Sequence, residues 1–292
     1  MDVIRRRSRR SKPVWLGLLL VVAACGGDGG ETTATASPAE TTPPSAATSE
    51  VIQAAQEAGS IKIGTIVTPP WVLREPGETE FSGPEPLYME KVAEELGVEI
   101  EWVDSSWETI IQGLEAGQFD IAAAPLNPTE ERRQVADFAV FTAAGYCYLV
   151  KADSDLQTIE DIGAPGVDIA TLAGTALIGL MEEAFPEATI SPVTPPPGAN
   201  ENVEDVLTGR HDVTIINSPE VYGFEQRFAG ELRVIPSGDE CFNNPHLSTP
   251  IGVAIRKGDP VLLQLLEDVH AEHADEIEAE DKRATESLTV DG

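Results

Sequence analysis

Arg132 and Arg133 are the residues whose type and spacing most invite chemistry. They follow a polar turn in the stretch DIAAAPLNPTEERRQVADF, residues 120–138, of a chain with 19 basic and 50 acidic residues. Ile121 to Ala124 is short and apolar enough for a buried strand. Asn127-Pro128-Thr129-Glu130 fits a capping box, with Asn127 at the N-cap, Pro128 at the first helical position and Glu130 at the third. A cation near a helix N-terminus opposes the macrodipole, by about 0.3–1 kcal/mol. Either Glu130 and Glu131 offset that cost, or an anion sits there, held by free backbone N–H groups and an arginine. Successive helical residues point about 100° apart, so the two arginines cannot serve one anion equally.

Other chemistry-bearing residues are sparse. His270 and His273 lie three apart on a predicted helix, with Asp268 and Glu272 nearby. That spacing suits a metal, but a solvated acidic face accounts for the same residues, so no metal and no cofactor is expected. No CxxC pair occurs among Cys25, Cys147 and Cys241.

The ends bound where this chemistry operates. Arg5, Arg6, Arg7, Arg9, Arg10 and Lys12 precede an apolar run of 12 residues, Pro13 to Ala24, too short to span a bilayer as a mature helix. The Arg9-Arg10 doublet has no aromatic behind it and is weak support for twin-arginine export. The run ends in Val22-Ala23-Ala24-Cys25, which resembles the lipobox of bacterial lipoproteins, where the cysteine is lipidated and becomes residue one. Residues 1–24 then form a signal peptide. Residues 25–51, rich in Gly, Thr, Ser, Pro and Ala, form a flexible tether. No later stretch reaches 18 apolar residues, so the membrane is met through the lipid alone, on its extracytoplasmic face. Six basic residues and one acid precede Cys25, leaving 13 against 49 and a net charge of −36. Nucleic acid is thereby excluded as a partner. Cys147 and Cys241 remain, and in oxidising surroundings they are a disulfide candidate.

The folded part, from about 52 to 292, alternates strand and helix patterns. SIKIGTIV, EIEWVD and FDIAAA read as strands; PLYMEKVAEELGV and SWETIIQGLEAG read as helices closed by Gly97 and Gly117. YCYLVK, GVDIATLAG, ATISPV and HDVTIIN repeat the strand pattern around the helices TALIGLMEEAFP and ENVEDVLTG. GQFDIAAAP (117–125) and GRHDVTIIN (209–217) match closely: glycine ends a helix, two residues turn the chain, and an aspartate opens a buried strand. Two similar α/β lobes follow, each largely parallel with helices on both faces. Open α/β sheets bind ligands beyond the carboxyl ends of their strands. One such edge carries Pro125, Asn127 and Arg132; the other carries Gly174, Thr175, Ala176, Asn217 and Ser218. Facing each other, they form the walls of one cleft.

At this point the motifs IKIGT (61–65), PPW (69–71), LEAGQFDIAAAPLNPTEERRQVADF (114–138), LAGTA (172–176), LTGRHDVTIIN (207–217) and IGVAIRKGD (251–259) can be taken together. The chain resembles the bacterial extracellular solute-binding proteins of family 3, the amino-acid type that serves ABC importers, over about residues 58–265. The resemblance implies a two-lobed, type II periplasmic-binding-protein-like fold with a two-strand hinge. Lobe 1 would take 52–145 and 247–292, and lobe 2 would take 146–246. The chain would cross near 142–148 and 242–250; Cys147 falls in the first and Cys241 directly before the second, which favours their pairing. The most specific element is the Thr-x-x-Arg helix behind a Gly-x-x-Asp strand, here Thr129 and Arg132. In such proteins that arginine clamps the ligand's α-carboxylate. Trp107 matches an aromatic that covers the ligand's side chain, and Trp71 one near the cleft mouth. Either tryptophan could equally be a core aromatic, Asn217 could simply cap a turn, and Arg132 could pair with Glu131 or Asp137 in solvent.

The departures shape the expected ligand. Ile66 stands where the family has a pocket acid, and Asn217 where an acid holds the α-ammonium. Pro125 replaces a residue whose N–H often meets the carboxylate. Ala176 replaces a ligand-binding threonine, with Thr175 adjacent. An ordinary α-amino acid would leave its ammonium poorly paired, at a cost of about 1–3 kcal/mol, unless Glu85 or Glu108 compensates. The expectation is a monomeric, non-enzymatic receptor for a small carboxylate-bearing solute, an amino acid or derivative, that delivers it to an ABC permease. The alternative is a cyclohexadienyl dehydratase-like enzyme on the same scaffold, with Glu220 in NSPE as general acid; Glu220 is also an ordinary first-turn helix glutamate. A receptor-kinase sensor is disfavoured because no span follows residue 265.

Overall fold

Successive side chains of a strand point to opposite faces, so a strand buried on both faces feeds two cores at once. Ile121 and Ala123 enter one core while Ala122 and Ala124 enter another. Tyr146, Tyr148 and Val150 alternate in the same way with Cys147 and Leu149. This doubling forces helices onto both faces of each sheet.

The computed structural model describes residues 48–75, 77–194 and 201–290. The signal, Cys25 and most of the tether lie outside them. In chain order the elements are α1 (Glu50–Ala58), β1 (Ser60–Thr65), α2 (Pro84–Leu96), β2 (Glu99–Asp104), α3 (Ile110–Glu115), β3 (Ile121–Leu126), α4 (Glu130–Arg133) and β4 (Ala136–Lys151). Then follow α5 (Ile159–Ile162), β5 (Asp168–Leu172), α6 (Leu177–Ala184), β6 (Thr189–Val193), α7 (Glu201–Leu207), β7 (Val213–Asn217) and a 3-10 turn (Ser218–Glu220). The last are α8 (Val221–Arg227), β8 (Leu232–Ile235), α9 (Gly238–Asn243), β9 (Leu247–Arg256) and α10 (Pro260–Val290). The stretch expected to be flexible through residue 51 gives way earlier, because the Ser49 hydroxyl caps α1 by accepting from Ile52 N at 3.1 Å.

The strands run in the order β2-β1-β3-β9-β4-β7-β5-β6, with β8 beside β4. β1, β2 and β3 are parallel, as are β5, β6 and β7. These two parallel groups are the two lobes of a type II periplasmic-binding fold. The long β4 and β9 join them, pairing antiparallel from Ala136↔Arg256 to Tyr146↔Leu247. At Tyr146 strand β4 also picks up β7, through Asn217. Gly145 is required at this crossing: a Cβ there would come within 2.4 Å of Pro245 Cγ and 2.7 Å of Ser218 Oγ. Cys147 of β4 is bonded to Cys241 of α9, with Cα atoms 5.9 Å apart, inside the core that holds Leu149, Val203, Val206 and Ile216. α10 packs on α2 and β4 and also reaches α8.

Candidate functional site

The first wall is built where β3 ends. All six residues of β3 are buried, so the polar residues behind Leu126 must turn out of the core. Thr129, not Asn127, is the N-cap of α4: its Oγ1 accepts from Arg132 N at 3.2 Å. Asn127 is drawn elsewhere. Its Nδ2 donates to Thr249 Oγ1 at 2.7 Å, to Tyr146 Oη at 3.3 Å and to the Pro250 carbonyl at 3.3 Å. Two good capping residues compete here, and the pull of the joining strands decides between them. The helix is a single turn of four residues, so both arginines lie in its last turn as well, and the dipole penalty largely disappears.

Arg132 and Arg133 then part. Arg133 is exposed; its Nε donates to Pro128 O at 3.0 Å and its guanidinium lies 5.8 Å from the Phe138 ring centroid. No acid pairs with it among the described residues, so its partner is a carbonyl and a ring rather than the neighbouring glutamates. Arg132 is 9% exposed. Its Nη1 donates to Asn127 O at 3.1 Å and its Nη2 to Gly174 O at 3.0 Å. No carboxylate pairs with it among the described residues. Asp137, the solvent partner weighed above, instead faces Lys257 at 3.6 Å and accepts from Gly258 N at 2.8 Å. Burial works against the Arg132 charge, opposed in part by nearby Glu131 and Tyr146.

Gly174, whose carbonyl meets Arg132, belongs to the second wall. It turns the chain between β5 and α6 with φ of 76°, a conformation that favours glycine. A Cβ there would stand 2.6 Å from Glu108 N and from the Trp107 carbonyl carbon. The two walls therefore touch. The Glu108 backbone N–H, opposed by a little desolvation and helped by the hydroxyls of Ser106 and Thr194, holds the Glu108 carboxyl below the usual range. Thr175 spends its hydroxyl on Leu172 O at 2.7 Å, and Ala176 is the N-cap of α6 without a side-chain bond.

At the end of β7, Asn217 caps the 3-10 turn, and Glu220 reaches back to it. Glu220 Oε2 accepts from Asn217 N at 3.2 Å and from Asn217 Nδ2 at 2.8 Å. Burial pushes the Glu220 carboxyl up to about 7 against these two bonds.

The tryptophans differ. Trp71 is 3% exposed and packs as a core aromatic with Phe81, Ala144, Tyr146 and Ile251. Trp107 is half-buried over the core of Ile110, Leu114 and Phe119, beside Gly174. Ile66 packs on the same core. Glu85 is fully buried at the start of α2 with both carboxylate oxygens unpartnered, and burial holds it well above the ordinary carboxylate range. His270 packs against Tyr88 and Phe141. Among the described residues no cluster of three or more His, Cys, Asp or Glu could hold a metal. Tyr146 went unnoticed in the sequence. It accepts from Asn127 and Thr249 and is the strand partner of Asn217. A tyrosine two residues before a strand's run of large apolar residues carries no signal of such a role.

Two α/β lobes joined by long antiparallel strands, with a buried cation that no carboxylate pairs among the described residues where their strand edges touch, define a two-lobed solute receptor. The sequence places it further: residues 61–280 match the bacterial extracellular solute-binding proteins, family 3, and the chain belongs to that family. Its folded part therefore works outside the cytoplasm. The chain is 29% identical to the probable histidine-binding protein of Campylobacter jejuni over 99 residues, 32% of this chain and only 39% of that protein. It is 26% identical to the ABC transporter glutamine-binding protein GlnH of Bacillus subtilis over 198 residues, 65% of this chain and 67% of that one. A solved structure, the ancestral amino acid-binding protein AncCDT-1, a precursor of cyclohexadienyl dehydratase, superposes with a TM-score of 0.66 at 26% identity, covering 82% of this chain and 99% of that one.

Proposed function

We propose that this chain is the lipid-anchored receptor of an ABC importer and that it closes on a small carboxylate-bearing solute, an amino acid or a derivative. The observation that carries this reading is Arg132. A buried charge without a counter-ion costs on the order of several kcal/mol, and among the described residues the Arg132 guanidinium donates to the Asn127 and Gly174 carbonyls and pairs with no carboxylate. A planar carboxylate arriving between the walls supplies the missing charge and suits the fork of the guanidinium. Asn127 and Thr129 hold the turn that aims Arg132. Trp107, Thr175, Ala176 and Asn217 border the same meeting edges, with Trp71 behind them. Lobe 1 is assigned 52–145 with 247–292, and lobe 2 146–246. The closed monomer then docks on the permease, with Cys25 as its lipid anchor and no chemistry on the solute.

Native mass spectrometry of the full-length chain for a carried-over solute, followed by calorimetry with it, tests the reading. A solute without an anionic group would sink it. Cys25→Ala is expected to leave the membrane fraction or to accumulate as unprocessed precursor; normal anchoring of this variant removes the lipoprotein assignment.

One observation favours an enzyme instead. Burial pushes Glu220 up to about 7, where a carboxyl serves as a general acid near neutrality, and AncCDT-1 is a precursor of cyclohexadienyl dehydratase. Turnover of prephenate or arogenate that disappears in Glu220→Gln would carry that reading; a chain inert toward both compounds would end it.

A further inference from the structure

The last helix belongs to both lobes. α10 holds 31 residues, about 46 Å at 1.5 Å per residue, and its two ends are held by different means. Leu262, Leu266, Val269 and Ile277 enter the core of the first lobe with Tyr88, Met89 and Val92 of α2. Tyr88 Oη donates to Leu266 O at 2.6 Å, and Lys91 of α2 faces Glu276 at 3.5 Å. The helix also crosses the joining strand β4, where His270 packs on Phe141.

Its last turns meet the second lobe, through α8 and the 3-10 turn that follow β7. The Leu288 carbonyl lies over Gly223 of α8, where a Cβ would stand 2.8 Å from it. Thr285 and Glu286 line a crevice of about 400 Å³ with Tyr222 and Gln226 of α8 and Phe242 of α9. Ile277, Asp281, Ala284 and Leu288 share one face by helical spacing, and its second position is a half-buried carboxylate whose Oδ1 has no partner among the described residues. Among the described residues no core takes a side chain of α10 beyond Ile277. Interdigitated apolar side chains thus lock α10 to the first lobe, whereas a glycine and a backbone carbonyl meet at the second, a smooth contact that can slide. A rigid helix cannot follow two lobes that rotate apart about β4 and β9, so one contact must yield, and the weaker is the one at α8.

We propose that α10 is a strap across the hinge, fixed on the first lobe and seated on α8 when the cleft walls touch, so that the seat at Gly223 tunes solute affinity through closure rather than by contact with the solute. The proposal rests on the reading that the chain closes on a solute. A seat that cannot form lowers the closed, binding-competent fraction, and the apparent affinity falls with it.

Gly223→Ala sets a methyl against Leu288 O, and Gly223→Leu fills the seat. Calorimetry of the full-length chain with each of the twenty standard L-amino acids tests the strap. Every solute that binds the parent should bind the variants about 2- to 30-fold more weakly, by one common factor. Small-angle scattering should show solute-free Gly223→Leu more expanded than the parent; should that variant not fold, Gly223→Ala and Ala284→Leu, on the packed face of α10, replace it. A merely structural contact would lower the melting temperature and leave affinity and shape as in the parent, which overturns the proposal. Losses confined to some solutes would place Gly223 against the solute and overturn it too. If the parent binds none of the twenty, the amino-acid reading falls and scattering alone decides the strap, with superimposable curves for parent and variant overturning it.

Discussion

The two walls of the cleft solve opposite problems with different means. The first wall brings a cation, Arg132, into the interior, where among the described residues it meets two carbonyls and no counter-ion. The second wall brings in a carboxyl, Glu220, and satisfies half of it with donors from its own turn. The cation stays charged because an arginine hardly gives up its proton. The carboxyl responds to the same loss of water by moving toward neutrality. A buried arginine is thus a standing demand for an anion, whereas a buried glutamate answers the same burial by holding its proton to higher pH.

Substitutions at Arg132 should break this contrast most strongly. Truncating one partner of a buried charge pair costs about 2–5 kcal/mol, roughly 30-fold to several-thousand-fold in affinity. Arg132→Ala should show that loss with the fold intact, and Arg132→Lys should recover only part of it, because lysine lacks the planar fork. Arg133→Ala should change affinity little. Calorimetry on the three variants checks this, and equal small effects at both positions would reduce the first wall to a capped helical turn.

A smaller effect is expected where the walls touch. Gly174→Ala places a methyl against the backbone of Trp107 and Glu108 and forces an alanine into positive φ. A left-handed residue of this kind costs about 1–2 kcal/mol of folded-state stability whether or not solute is bound, while the methyl's clash with Trp107 and Glu108 weakens binding by impairing closure. Small-angle scattering in saturating solute should show a more open variant; an unchanged compact form would mean the contact does not limit closure.

The smallest effect sharpens the other side of the contrast. Burial pushes the Glu220 carboxyl up to about 7, above its ordinary value of 4.5. Between these values the native state holds a proton that the unfolded state has lost, so its contribution to stability falls as pH rises through that window. The melting temperature of the solute-free chain should drop less between pH 5 and pH 7.5 in Glu220→Gln than in the parent. Parallel curves for the two proteins would place the Glu220 carboxyl in ordinary solvent.

The first wall was legible in the sequence because its parts are local. A buried strand, a turn and a capped helix lie within 20 residues, and the spacing from Thr129 to Arg132 fixes which arginine turns inward. The cap itself was misread, because Asn127 is as good a capping residue as Thr129, and only Thr249, Pro250 and Tyr146 draw it away. The second wall was readable in principle. Asn217-Ser-Pro-Glu220 carries the spacing of a capping box, but its weight depends on the desolvation of Glu220, which no spacing encodes. The burial of Trp71 likewise depends on Ala144, Tyr146 and Ile251, far along the chain. The same holds for β4, which runs 16 residues because β9, β7 and β8 pair with it in turn.

The most direct measurement is a two-by-two cycle in which the parent chain and Arg132→Ala are each titrated with the carried-over solute and with its carboxamide. If the solute's carboxylate sits on Arg132, neutralising either partner costs nearly the whole interaction, and removing the second costs little more. The coupling between the two changes should then reach about 2 kcal/mol or above. Independent, additive losses would show that the carboxylate is held elsewhere and that Arg132 only supports the turn.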